Sequence, residues 1–222
     1  MSRELKCEIL PEDAQKFDLS FKIIVLGDCG VGKTCLSMRA SRNDFDEHYT
    51  TTIGFEFLTI NIRVNDSNIK LQIWDTCGQE VYRSLIASFY HSASLAIIVY
   101  SIDNENSFNH ITEWLNEVKL NSNPDIKLVL IGNKADLEDI RKVKKEEGEK
   151  LSIDNNMSFF METSAKSGFN AENLFIEVGK ELYQYYTTIK NNLAKESSIF
   201  TEEEKRTVLS SVKGKDRPRK KK

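Results

Sequence analysis

The chain has 222 residues, 40% of them hydrophobic, which suits one sizeable domain with tails. No stretch approaches ~18 consecutive apolar residues, the start Met1-Ser2-Arg3-Glu4 lacks the apolar core of a secretory signal, and Ser2 excludes N-myristoylation. The net charge of −3 hides an asymmetry, because residues 213–222 carry +6 and the remainder −9, an acidic globule with a basic tail rather than a general nucleic-acid binder.

Residues 1–19 are mixed and charged, and we expect a short flexible extension there. Lys22–Leu26 reads as a buried strand, Gly32 to about Ser41 as a helix, and residues 42–52 as a polar loop. From Phe55 to Val64 the alternation is strict, with Leu58, Ile60, Ile62 and Val64 on one face. Asn65–Asn68 is turn chemistry and a second strand runs Ile69–Trp74, giving an antiparallel hairpin. Strands at Leu95–Tyr100, Lys127–Gly132 and Ser158–Glu162 then alternate with helices. These are a helix capped by Ser107, a second from Lys144 to about Asn155, and a last one carrying Leu174, Phe175, Val178, Leu182, Tyr185 and Ile189. The pattern predicts an α/β fold in three layers: a mostly parallel six-stranded sheet, one antiparallel edge strand and about five helices. The expected division is an extension at 1–19, a domain at 20–190 and a variable tail at 191–222.

Ligands in such sheets bind beyond the carboxyl ends of the strands, and the chemically suggestive residues fall there. Gly27-Asp28-Cys29-Gly30-Val31-Gly32-Lys33-Thr34 follows the first strand and fits Gly-x4-Gly-Lys-Ser/Thr. A glycine-rich turn lets successive backbone N–H groups converge on a phosphate, and the next helix points its positive end at the same spot. Lys33 would reach the β- and γ-phosphates, and Thr34 would sit on Mg2+. Asp75 ends the strand beside this loop and can join the Mg2+ shell; Gly78 allows a backbone N–H to approach a γ-phosphate, and Gln79 can orient an attacking water. Asn133-Lys134-Ala135-Asp136 follows the strand Lys127–Gly132, where a carboxylate can accept hydrogen bonds from guanine N1–H and the 2-amino group. Adenine offers no such donor pair, which disfavours an ATPase or nucleoside kinase. Glu162-Thr163-Ser164-Ala165-Lys166 would bring backbone N–H groups near guanine O6.

These segments, with Thr52-Ile53-Gly54-Phe55-Glu56-Phe57, resemble the Ras superfamily of small GTPases, and within it the Rab family, over roughly residues 20–190. The resemblance implies a small G-protein fold, GTP/GDP and Mg2+ as ligands, and slow intrinsic hydrolysis accelerated by an activating protein that supplies an arginine. It implies that Thr52 joins Mg2+ and the γ-phosphate in the GTP state and that Phe45 stacks on guanine. Catalysis would rest on Gln79, Lys33 and Thr52; the metal on Thr34, Thr52 and Asp75. The nucleotide would meet residues 28–35 (Asp28, Cys29, Gly30, Val31, Gly32, Lys33, Thr34 and Cys35), Phe45, Thr52, Gly78, Asn133, Lys134, Asp136, Ser164, Ala165 and Lys166. Segments around 45–57 and 76–90 would be switches, ordered by the γ-phosphate and released on hydrolysis.

The alternation independently puts Phe57 and Trp74 on the polar face of the hairpin, where large aromatics read as a partner surface. In Rabs these positions and that of Phe89 form such a patch, facing effectors, exchange factors and activating proteins. Cys29 and Cys77 depart from the usual Rab residues and bear on turnover, which keeps a GTP-bound scaffold with little hydrolysis as an alternative. Cys7, Cys29, Cys35 and Cys77 form no C-x-x-C pair, pointing to a reduced, cytoplasmic chain. Rabs usually end in prenylated cysteines, whereas the sequence shown ends in a basic cluster at 213–222. Such a cluster can contact anionic endomembranes of Golgi or endosomal type reversibly, or act as a nuclear-import patch in a soluble transport GTPase. No specific nucleic acid is expected.

Overall fold

The computed structural model describes residues 5–11, 13–14, 16–49, 55–76 and 90–195. In chain order the strands are β1 (Cys7–Leu10), β2 (Leu19–Leu26), β3 (Phe55–Val64), β4 (Ser67–Thr76), β5 (Leu95–Ser101), β6 (Lys127–Asn133) and β7 (Phe159–Glu162). The helices are α1 (Lys33–Arg42), α2 (Glu105–Asn109), α3 (Ile111–Asn121), α4 (Lys145–Asp154) and α5 (Ala171–Lys195), with a 3-10 turn at Glu138–Ile140. They build one seven-stranded sheet in the order β1-β3-β4-β2-β5-β6-β7.

The central strands β2, β5 and β6 pair in parallel and are apolar on both faces, as helix-covered strands must be. Ile23, Val25, Ile97, Val99 and Ile131 pack on one face with Leu174, Phe175, Val178 and Leu182 of α5. Leu26, Ile98, Tyr100 and Leu130 pack on the other with Ile111, Trp114, Leu115 and Val118 of α3. The hairpin keeps its sequence-read alternation, Leu58, Ile60, Ile62 and Val64 all being buried. Its turn is tighter than expected: Val64 pairs with Ser67, so only Asn65 and Asp66 connect the strands, and Asn65 takes the left-handed φ of 52°.

Several expectations are corrected. Residues 7–10, expected within a flexible extension, form β1, which pairs antiparallel with β3 (Cys7 opposite Val64, Leu10 opposite Asn61). The sheet therefore has seven strands rather than six, and the antiparallel strand β3 lies inside the edge. The cause is apolar alternation: Leu5, Cys7 and Ile9 pack against the core beneath α5. Asn61, buried on β3, donates from Nδ2 to the Pro11 carbonyl at 3.1 Å and so fastens the strand's exit. Ser107 is not a helix cap. Asn104 is, its Oδ1 accepting from Ser107 N, while the Ser107 hydroxyl donates to the Asn104 carbonyl. The helix expected there is two pieces, α2 and α3, meeting at His110. The last helix runs to Lys195, past the boundary expected at 190.

Candidate functional site

The loops after β2, β6 and β7, with residues 45–49, surround a cavity of about 350 Å3. Its phosphate end is the turn between β2 and α1. Gly27 has φ 138°, and a Cβ there would stand 2.1 Å from the Val99 carbonyl oxygen. Gly32, at φ 91°, opens α1 at a point where a Cβ would meet the Asn133 amide at 2.5 Å. No L side chain fits either position, so backbone crowding and the turn itself demand glycine. Lys33 is buried and folds over the loop, donating to the Gly27 carbonyl at 2.7 Å and the Asp28 carbonyl at 2.8 Å.

Beside it the Thr34 hydroxyl donates to Asp75 Oδ2. Asp75 is fully buried, and its Oδ1 has no hydrogen-bond partner among the described residues. Burial pushes its carboxyl up to about 6; the Thr34 hydroxyl and the Lys33 charge pull against that rise. A buried oxygen pair, one member unsatisfied, next to a hydroxyl is the hard-oxygen donor set that Mg2+ takes. The residues present therefore fit that ion.

The base end is tied together by side chains. Asn133 donates to the Val31 carbonyl at 2.8 Å and accepts from the Thr163 hydroxyl at 3.1 Å, linking three loops. Ser164 donates to Asp136 Oδ1 at 2.5 Å, so the hydroxyl aims the carboxylate. Arg39 of α1 reaches across to the Ala165 carbonyl (2.8 Å) and the Lys166 carbonyl (3.0 Å), with its guanidinium 5.6 Å from the Phe45 ring. Lys166 meets Glu47 at 2.6 Å across the mouth. Behind the base loops Arg141 bonds both Glu138 and Glu162, the contact to Glu162 being 2.7 Å. These two hydrogen-bonded carboxylates hold its guanidinium even more firmly protonated than usual.

Of the residues expected around a nucleotide, Cys29, Gly30, Gly32, Lys33, Thr34, Cys35, Phe45, Asn133, Lys134, Asp136, Ala165 and Lys166 line this cavity. Val31 and Ser164 are buried behind it and act on their neighbours, the first through its carbonyl and the second through its hydroxyl. The Asp28 carboxylate goes elsewhere, to Trp114 and His110. Thr52, Cys77, Gly78, Gln79, Phe89 and the basic cluster 213–222 lie outside the described residues. Asp46, Glu47, Tyr49 and Leu137 also line the cavity and were not anticipated; a position beside Phe45 or Asp136 was the only available signal. Burial of the Cys35 thiol, the largest influence on it, raises its pKa.

On the hairpin, Phe57 stays 45% exposed and Phe55 52%, and both rings contact Trp74 with centroids 5.1 and 5.7 Å away. Lys22 Nζ caps the Trp74 ring at 5.1 Å.

A glycine-rich strand-to-helix loop ending in Lys33 and Thr34, backed by buried Asp75 and facing Asp136 across one cavity, defines a nucleotide-binding domain of the P-loop class. The pattern that defines the Ras family matches residues 22–184. Ras-related protein Rab-8A of Rattus norvegicus and that of Mus musculus are each 41% identical to the chain over 169 residues, 76% of this chain and 81% of theirs. The chain belongs to the Ras family; it is a small GTPase of Rab type, a regulator of vesicle traffic. Proteins of this family bind guanine nucleotide and Mg2+ and hydrolyse GTP. Among the described residues no helix is long and apolar enough to cross a membrane.

Proposed function

We propose that the chain is a GTP/GDP switch in which the cavity residues hold the nucleotide and turnover waits for a partner. The observation that carries this is one cavity lined by Thr34, whose hydroxyl donates to the buried Asp75 behind it, and by an Asp136 carboxylate aimed by Ser164. Asp136 would accept from guanine N1–H and the 2-amino group, Phe45 would stack on the ring, and Lys33 with the loop N–H groups would hold the phosphates. Thr34, Asp75 and Thr52 would hold Mg2+, which when bound neutralises charge on the β- and γ-phosphates. Gln79 would orient the water whose oxygen bonds to the γ-phosphorus as the bond to the β–γ bridging oxygen breaks, giving GDP and phosphate. The chain supplies no recognisable arginine for the developing charge, so the intrinsic rate is slow and an activating protein provides that group.

Exposed Phe55 and Phe57, packed on half-buried Trp74, supply an aromatic face next to this chemistry, and with Phe89 form the surface for effectors, exchange factors and activators. The basic cluster 213–222 makes a reversible contact with anionic lipid and holds the protein peripherally on endomembranes. Cys29 supports a second reading, because its exposed thiol lines the phosphate end of the cavity and could suppress turnover, leaving a GTP-bound scaffold. Single-turnover phosphate release from GTP-loaded protein separates the two. A slow release, accelerated by an activating protein and abolished by Gln79→Leu, is expected of the switch; a rate indifferent to both leaves the scaffold. Adenine nucleotide co-purifying with the chain would overturn both readings.

A further inference from the structure

The phosphate loop contains an acid at a place built to attract anions. Asp28 adjoins Cys29 and Gly30 of the cavity wall, and its own carbonyl receives Lys33 Nζ at 2.8 Å. A carboxylate free to swing there would oppose the phosphates by like-charge repulsion. In the structure both its oxygens are engaged by one helix. Trp114 Nε1 donates to Oδ1 at 2.9 Å, and His110 Nδ1 lies 2.7 Å from Oδ2. An ionised carboxylate only accepts, so Nδ1 is the protonated nitrogen of that ring. The two donors are four residues apart, one helical turn, and so project from the same face of the start of α3. Trp114 is 2% exposed and fixed among Leu26, Ile98 and Leu115 in the core layer on that side of the sheet. One turn further on, Glu117 accepts from the Tyr90 hydroxyl at 2.9 Å, so the same helix is also fastened to the chain just before β5.

We infer that His110 and Trp114 are positioning residues: they hold the Asp28 carboxylate turned away from the phosphate cavity and thereby keep the phosphate loop in its anion-binding form. Neither touches the cavity, and nothing in the motif Gly27–Thr34 specifies them. The inference rests on the reading of the cavity as a guanine-nucleotide site.

The test is the release rate of a fluorescent GDP from the full chain in Mg2+. Trp114→Phe keeps the ring but removes the N–H, and His110→Ala removes the second donor. Each is expected to speed release about tenfold, the scale of one lost hydrogen bond to a charged group. His110→Asn, which restores an N–H of similar reach, returns the rate to within about twofold of wild type, an effect a purely packing role would not produce. In an Asp28→Ala background Trp114→Phe should add nothing, because the carboxylate through which it acts is gone. Melting temperatures of the same proteins identify any variant that releases nucleotide by unfolding; for Trp114→Phe, His110→Ala then carries the test alone. Release at the wild-type rate in both single variants overturns the inference, as does an undiminished Trp114→Phe effect without Asp28. If the wild-type chain retains no GDP, the nucleotide-site reading falls first and this inference with it.

Discussion

The two ends of the cavity are finished to different degrees. At the base end each recognition group already has a protein partner: Ser164 on Asp136, Thr163 and Val31 on Asn133, Arg39 on the carbonyls of Ala165 and Lys166. At the metal end Thr34 donates to Asp75, and Asp75 is buried at a cost that lifts its carboxyl to about 6 with one oxygen unmatched among the described residues. On the proposed reading, the difference teaches that protein contacts alone position the groups for the base, whereas the electrostatics of the phosphate end are completed by what binds. A switch needs that asymmetry: a constant grip on the base and a conditional one on the charge.

Titrating the metal end separates the two most strongly. The folded value of Asp75 lies above its ordinary 3.8, so its contribution favours the fold fully below about pH 4 and is lost as pH rises through about 6. The loss is about 3 kcal/mol in metal-free protein. Melting in a chelator should show wild type losing ground to Asp75→Asn across that window, and added Mg2+ should reverse the trend by favouring the carboxylate. Asp136→Ala strikes the base end. Guanine affinity should fall about a hundredfold with the melting temperature of the nucleotide-free protein little changed, measured by equilibrium binding of fluorescent GDP. Arg141→Ala acts one step behind it. Glu162, 11% exposed, loses its partner at the start of the 162–166 loop, so stability should drop by about 2 kcal/mol and guanine affinity about tenfold in the same assays. Removing residues 1–10 should do least. The loss of β1 costs about 1–2 kcal/mol in chemical denaturation and leaves GDP affinity unchanged, since β1 pairs with residues 61–64 at the far end of the hairpin from Asp75.

The same contrast explains what could be read from the sequence. Gly27–Thr34, Asp75 and Asn133–Asp136 were legible because each is a short string whose chemistry depends on its own spacing and on a strand before it. The central strands announced themselves by unbroken apolar runs. What escaped depends on residues far apart in the chain. The partners of Asp28 lie 82 and 86 positions away, and Arg39 meets Ala165 across 126. β1 escaped because three alternating apolar residues at Leu5, Cys7 and Ile9 are too few to stand out among charged neighbours, and only the open edge of β3 makes a strand of them. Ser107 and Asn104 are both good capping residues three positions apart, and the choice fell to the geometry at the end of β5, where Ser107 Oγ accepts from Ser101 N.

The central claim, a base end set in advance and a phosphate end completed by its cation, is tested most directly by the release rate of GDP with and without Mg2+, in wild type and in Asp75→Ala. Chelating Mg2+ is expected to speed release from wild type by at least about tenfold and to leave the already faster release from Asp75→Ala nearly unchanged. Release from wild type that ignores Mg2+, or an equal response to chelation in both proteins, would contradict it.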